Sequence, residues 1–116
     1  MQGAIIARLK TGSIKNVIPF GSKKHGLPPY VVVKIEQGAG RINIRIILRF
    51  EQGAQQLYRP YMFKEVSDLL TGFRTTDEHG NTFIVRDSGE WGEASALTDD
   101  RTLAMERTFF VPFRPR

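Results

Sequence analysis

The alternation of apolar and basic residues between positions 30 and 50 constrains the fold of this chain more than any other feature. Two runs of β-forming residues flank the turn sequence Gln37-Gly38-Ala39-Gly40. Because strand side chains alternate between two faces, the second run separates into two sets. The pattern predicts a β-hairpin with an apolar face toward a core and an arginine-bearing face outside. One face receives Ile42, Ile44, Ile46, Leu48 and Phe50, and the other receives Arg41, Asn43, Arg45, Ile47 and Arg49.

The segments around the hairpin indicate two helices and two further strands. Residues 4–10 predict a short helix, and the glycine, proline and polar residues of 19–29 predict a long exposed loop. Apolar residues at helical spacing predict the main helix over 57–71, with Pro60 in its first turn and Gly72 at its end. A short strand over 82–86, a polar loop over 87–101 and a long strand over 103–113 complete the chain.

The order helix, strand, strand, helix, strand, strand predicts an α+β fold. We expect one domain over residues 1–116, because 116 residues with 41% hydrophobic content suffice for one core. The expected sheet is mostly antiparallel, with about four strands. The main helix is expected to pack on one face of that sheet, beside the short N-terminal helix.

Composition narrows the classes of function without naming one. The formal charge of +5 permits attraction to nucleic acid, anionic lipid or an acidic protein, and is also ordinary for solubility. The chain has no cysteine, which excludes disulfides and makes the cytosol the default compartment. No apolar run approaches the ~20 residues of a membrane span, and the N-terminus does not have the pattern of a signal peptide.

Catalytic signals are weak, and we expect neither an enzyme nor a cofactor. His25 and His79 stand in separate turn-like segments, which favours surface positions over a metal site. The acidic residues of the 87–101 loop, which include Asp99 and Asp100, could gather around Mg²⁺ as in a nuclease. Solvated loop carboxylates explain them more simply.

The arginine-bearing face is the main candidate for a contact site. Lys34 is expected to join Arg41, Arg45 and Arg49 from across the hairpin, and the loop residues Lys23 and Lys24 add charge nearby. Binding of single-stranded nucleic acid also needs aromatic residues on that face, whereas Phe50 lies on the other one. Three interpretations therefore stay open: pairing with the acidic 87–100 loop of a neighbouring subunit, a solvated face, and nucleic-acid contact.

Two aromatic features have more than one interpretation. Trp91, flanked by glycines at Gly89 and Gly92, either fills the core under a loop or anchors a partner. The final strand is apolar on both sides around Phe109 and Phe110, which indicates either burial against another subunit or an edge strand interrupted by Pro112.

The order of these elements resembles that of the tail-terminator (tail-completion) proteins and related minor tail proteins of long-tailed bacteriophages. The corresponding segments are an N-terminal helix, a Pro-Tyr-Val start to the first strand at Pro29-Tyr30-Val31, and an alternating second strand over 41–50. They continue with a helix over 57–71, a short strand over 82–86 and a closing strand within 98–111.

The resemblance implies a non-enzymatic virion protein, made in the host cytoplasm and located at the head-tail junction. Such a protein forms a ring, expected to be a hexamer, that caps the tail tube and joins it to the head-completion proteins around a lumen for DNA. In that setting Arg41, Arg45 and Arg49 would meet a neighbouring protomer or the lumen, and the loops would contact adjacent rings. A head-closure or connector protein of the same particle and a small basic nucleic-acid-binding domain are the alternatives.

Overall fold

The computed structural model describes residues 1–22, 29–51, 55–93 and 102–112. Two helices and eight strands lie in those ranges. The helices are α1 (Gln2–Lys10) and α2 (Gln55–Leu70). The strands are β1 (Val17–Pro19), β2 (Tyr30–Gly38), β3 (Arg41–Glu51), β4 (Arg74–Thr76), β5 (Thr82–Ile84), β6 (Arg86–Asp87), β7 (Gly92–Glu93) and β8 (Thr102–Pro112).

Six of the strands form one mixed sheet in the order β1-β2-β3-β8-β6, with β7 also paired to β8. Only β1 and β2 run parallel among these described pairs; the others are antiparallel. Strands β4 and β5 form a separate hairpin. The predicted α+β class is confirmed, and the main sheet has more strands than the four expected.

The hairpin of β2 and β3 lies at the predicted position, and its apolar side chains lie on the predicted face. Lys34 pairs with Arg45 and Ile35 with Ile44, so side chains of like character share a face. Ala39 and Gly40 connect the two strands, and Gly40 has a φ of 72°. This left-handed conformation is accessible to glycine at little cost and permits the tight turn.

Both helices pack on the apolar face of the main sheet. The buried side chains of that face meet Ile5 and Leu9 of α1 and Val66 and Leu70 of α2. Burying each large aliphatic or aromatic side chain contributes about 1.5–3 kcal/mol, so this layer stabilises the whole fold. Its sheet residues are Val17, Val31, Val33, Ile44, Ile46, Leu48, Phe50, Met105, Phe109 and Val111.

The helix boundaries differ slightly from the predicted ones. Helix α1 begins at Gln2 rather than at position 4, and α2 begins at Gln55 rather than near position 57. Pro60 therefore lies beyond the first turn of α2, where it removes one backbone N–H from the helical ladder. The predicted stop is confirmed, because α2 ends at Leu70 and Gly72 follows with a φ of 81°.

Five short strands differ from the predicted elements. The loop expected to begin at position 19 is preceded by β1, and β4 lies where no strand was expected. The predicted strand over 82–86 divides into β5, which pairs with β4, and β6, which pairs with β8. The loop expected from position 87 contributes the end of β6 and all of β7. Strands of two or three residues are too short for alternation to reveal them.

Candidate functional site

The face of the main sheet opposite the helices, here called the outer face, carries the arginine set. The β-ladders bring together side chains from β2, β3 and β8 on this face. Four of these side chains are basic and two are acidic, which leaves a positive surplus. Most are partly buried rather than fully exposed. They are Val32, Lys34, Glu36, Arg41, Asn43, Arg45, Ile47, Arg49, Glu106, Thr108 and Phe110.

Arg45 lies at the centre of an ion-pair network that spans three strands. Its Nη1 is 2.8 Å from Glu36 Oε1, and its Nη2 donates to the carboxylate of Glu106. Lys34 Nζ lies 3.1 Å from the same Glu36 oxygen. Hydrogen bonds from Arg45 and then Lys34 hold the pKa of Glu36 below its ordinary value. We call these four side chains the Arg45 network. In it, the charge of Arg45 is paired with carboxylates of the same chain.

Aromatic rings also lie beside the basic residues, contrary to the sequence analysis. The Arg41 guanidinium lies 4.6 Å from the centre of the Phe110 ring, and Lys34 Nζ lies 4.3 Å from that of Phe20. The alternation along β3 assigns a face only to the aromatic residue of that strand, Phe50. Phe110 comes from β8 and Phe20 from the segment after β1, so only the folded chain places them here. Both contacts are cation–π interactions.

A polar groove of ≈ 600 Å³ lies at one end of the outer face. Arg41, Asn43 and Arg45 line it from β3, and residues 88–90 and 92 line it from the segment that follows β6. The Oδ1 atom of Asn43 is buried without a hydrogen-bond partner in the described part of the chain. The groove therefore presents the hydrogen-bond donors of its arginines, which suits acceptor side chains or backbone carbonyl groups of a partner.

A second ion pair lies on the helix side of the sheet. Arg107 Nε donates to Asp87 Oδ1 at 2.9 Å, and Arg107 Nη2 donates to Asp87 Oδ2. Burial is the largest single effect and opposes the charge of Asp87, but hydrogen bonds from Arg107 and from the backbone of Gly89 and Ser88, with the charge of Arg107, together lower the pKa of the carboxyl group. Asp87 was a predicted partner for arginines of another subunit, and its partner here is in its own chain.

Trp91 packs beside this ion pair against the core. Its ring stacks on Phe63 with centroids 4.5 Å apart, and the Arg107 guanidinium lies 6.0 Å from its centre. The side chain is partly buried. Its position follows from β7, which begins at Gly92 and pairs with β8, and so fixes the end of the segment that carries the ring.

The remaining predicted site residues are distributed more widely. Arg49 lies on the outer face opposite Tyr30 and lines a second cavity of ≈ 210 Å³. Lys23, Lys24, Asp99 and Asp100 lie outside the described residues, so their roles stay predictions. His79 is exposed in the β4–β5 turn.

Two features are absent from the residues that the structure describes. Within the four described ranges, no group of three histidine or acidic side chains is close enough to hold a metal ion. Neither helix, over its described residues, is long and apolar enough to cross a membrane.

Comparison with known proteins supports the fold and leaves the function open. No protein-family profile matches the chain. No curated protein matches it either. One solved structure, whose name describes no function, superposes with a TM-score of 0.57 at 14% sequence identity. The superposition covers 99% of this chain and 92% of that one, so the whole α+β arrangement recurs in another protein.

We expect acid to weaken the fold through Glu36 and Asp87. Both pKa values are lower in the folded chain than the ordinary 4.5 and 3.8, so their stabilisation is present above those values. It is lost progressively as the pH falls below about 4. Urea unfolding at pH 7 and pH 3 should show a smaller pH dependence in the Glu36→Gln/Asp87→Asn variant. The control Glu78→Gln, at an exposed position, should keep the dependence of the original chain; an unchanged dependence in the double variant would contradict the prediction.

Proposed function

We propose that this chain is a structural assembly protein of the tail-terminator type. In this proposal it forms a ring, expected to be a hexamer, at the head-proximal end of a bacteriophage tail tube. One side of the ring ends tube polymerisation, and the other docks the head-completion proteins around a lumen for DNA. The protein acts by surface complementarity and catalyses no reaction.

The observation that carries this proposal is the composition of the outer face. Helices fill the other side of the sheet, whereas the outer face presents partly buried Val32, Ile47 and Phe110 among arginines. Protein interfaces are enriched in aromatic residues and arginine around apolar contacts. The order of the elements, from α1 through the hairpin and α2 to β8, supports the same proposal through its resemblance to the tail terminators.

The Arg45 network gives this surface a fixed arrangement. Ion pairs among β2, β3 and β8 hold long side chains in place before a partner arrives, so less conformational entropy is lost on binding. In the proposed ring, Arg41 and Arg49 on either side of Arg45 contact the neighbouring protomer or face the lumen. Arg45 itself holds the side chains of Glu36 and Glu106 in place through its ion pairs.

Assembly is measured directly by light scattering coupled to gel filtration and by negative-stain microscopy. We expect a ring from the purified protein, alone or with the tail tube and head-completion proteins of the same particle. Phe110→Glu places a charge on the outer face beside Arg41 and should abolish the ring while the helical and strand content by circular dichroism is kept. The control Lys64→Glu changes a side chain that is 77% exposed on α2 and should assemble normally.

A strict monomer, both alone and with those partner proteins, would contradict the ring. Binding to the head-completion protein with no effect on tube length would favour the head-closure alternative. The tail-terminator proposal requires instead that the protein stops tube growth at a defined length.

A second candidate function is binding of single-stranded nucleic acid, and the two cation–π contacts favour it. Stacking platforms combine basic side chains with aromatic rings, as Arg41 with Phe110 and Lys34 with Phe20 do here. If this function holds, Arg41→Glu should weaken binding at least tenfold and reduce the salt dependence of the affinity. Fluorescence anisotropy with a labelled oligonucleotide over a salt series measures both. Binding that is absent, or insensitive to salt, would remove this candidate.

A further inference from the structure

One edge of the main sheet is only partly covered. Strand β1 pairs with Val31 to Val33 of β2 and ends at Pro19. Two hydrogen bonds, from Val31 N–H to Asn16 O and from Phe20 N–H to Val33 O, are both 2.9 Å long. They show that the backbone N–H and C=O groups of Val31 and Val33 point toward this edge. Because the direction of these backbone groups alternates along a strand, those of Ile35 and Gln37 point the same way.

The N–H and C=O groups of Ile35 and Gln37 therefore face outward beyond the end of β1. In the part of the chain that the structure describes, they have no hydrogen-bond partner. The open edge has defined limits. On one side, Val33 O already accepts from Phe20 N–H and from Gln2 Nε2 at 3.0 Å. On the other side, β2 ends at Gly38.

The opposite edge of the sheet is covered. Strands β6 and β7 both pair with the edge of β8 that faces away from β3. Between them, Thr108 O accepts from Ser88 Oγ at 2.7 Å and from Ser88 N–H at 3.3 Å. Proteins commonly cover or interrupt exposed edges because these recruit other strands. Among the residues that the structure describes, the β8 edge is covered and the second half of the β2 edge is not.

We propose that the open β2 edge pairs with the same edge of a second copy of this chain, antiparallel and about a two-fold axis at Glu36. In this arrangement Ile35 of one copy lies opposite Gln37 of the other. Each such pair exchanges two N–H···O bonds, so the four outward-facing groups of each copy are all satisfied. The proposal does not rest on the ring and concerns a different surface from the outer face.

The charges near the edge are compatible with this register. Glu36 of the two copies would lie directly opposite each other, but each already accepts hydrogen bonds from Arg45 and Lys34. Lys34 of one copy would lie diagonal to Glu36 of the other, which adds two favourable cross-strand contacts. A register centred one residue earlier would require Val33, whose C=O is already occupied.

Apolar side chains beside the edge offer further contact area. Phe20 and Met1 are 55% and 37% exposed, and with Ile35 they border a cavity of ≈ 380 Å³. Apolar surface next to an unpaired strand favours strand addition over a solvated edge. The second copy would bury this surface as its strand pairs.

Single cysteines test the register because the chain has none of its own. At a non-hydrogen-bonded antiparallel pair the Cα atoms lie about 4.5 Å apart, within the range that a disulfide spans. Glu36→Cys should form a covalent dimer under mild oxidation at least tenfold faster than the control Gln37→Cys. In the proposed register, position 37 of one copy lies opposite Ile35 of the other copy and not opposite its own equivalent. Equal rates in the two variants would overturn the proposal.

A proline variant tests the edge without cross-linking. Gln37→Pro removes an outward-facing N–H, so the ladder between β2 and β3 loses no hydrogen bond. By sedimentation equilibrium, Gln37→Pro should dimerise at least tenfold more weakly than Gln37→Thr, which keeps the N–H group. Equal association in both variants, or a chain that stays monomeric at every concentration, would overturn the proposal. Phe110→Glu should leave the Glu36→Cys cross-link intact, which separates this contact from the proposed ring.

Discussion

Phe109→Ala is expected to lower the free energy of unfolding by about 3–5 kcal/mol, because the side chain is fully buried. Phe109 lies in β8 opposite Ile44 of β3 and Asp87 of β6, in the layer that meets the helices. Truncation removes its apolar contacts and leaves a cavity whose walls belong to three strands, which limits collapse. Urea denaturation followed by circular dichroism measures the loss.

The matched control is the next residue along the same strand. Phe110 points to the outer face, where it lies under Arg41. Phe110→Ala should cost about 1 kcal/mol, since a partly exposed ring loses little burial and one cation–π contact. Similar losses at the two positions would contradict the assignment of the faces of β8.

Arg107→Met is expected to lower the free energy of unfolding by about 2 kcal/mol, less than for a fully buried pair because both side chains keep some contact with solvent. The exposed fractions are 18% for Arg107 and 28% for Asp87. The substitution leaves the Asp87 carboxylate without its guanidinium, while methionine keeps most of the apolar contact with the core. Urea unfolding at pH 7 measures the cost.

The double variant Asp87→Asn/Arg107→Met separates the charge from the packing. It should recover part of the lost stability, because no unpaired carboxylate remains. The loss in Arg107→Met should also shrink as the pH falls toward 3, because protonation of Asp87 removes the charge that the variant leaves unpaired and weakens the ion pair of the original chain. As a surface control, Lys64→Met breaks the pair with Asp68, whose side chains are 77% and 64% exposed, and should cost below about 0.5 kcal/mol. A cost for Arg107→Met no larger than this control would contradict the prediction.

The hairpin was predictable because its alternation is long. Strand β3 runs from Arg41 to Glu51, and a one-residue slip would exchange its apolar and basic faces. Strands β1, β4, β6 and β7 have two or three residues each and derive their structure from pairing. Their hydrogen bonds depend on which strand lies nearby in the folded chain, and the sequence pattern does not show this.

The outer face was predictable only in part for the same reason. The sequence places Lys34, Glu36 and Arg45 on neighbouring strands joined by a short turn, so their proximity follows from the hairpin. Glu106 is 61 positions from Arg45, and it reaches the network only through the register of β8 on β3. The aromatic ring under Arg41 depends on that register too, which is why the alternation along β3 does not reveal an aromatic residue beside the arginines.

The position of β8 beside β3 has a consequence for how the polypeptide is made. The register pairs Arg41 with Pro112 and Ile46 with Arg107. The centre of the sheet therefore cannot form until β8 has been synthesised, long after the hairpin. While the ribosome makes α2 and the short strands, one long side of β3 and its isoleucines remain without their partner. Topologies with such distant pairings fold slowly and expose aggregation-prone surface on the way. The nascent hairpin is therefore the segment where we expect molecular chaperones to bind until β8 leaves the exit tunnel.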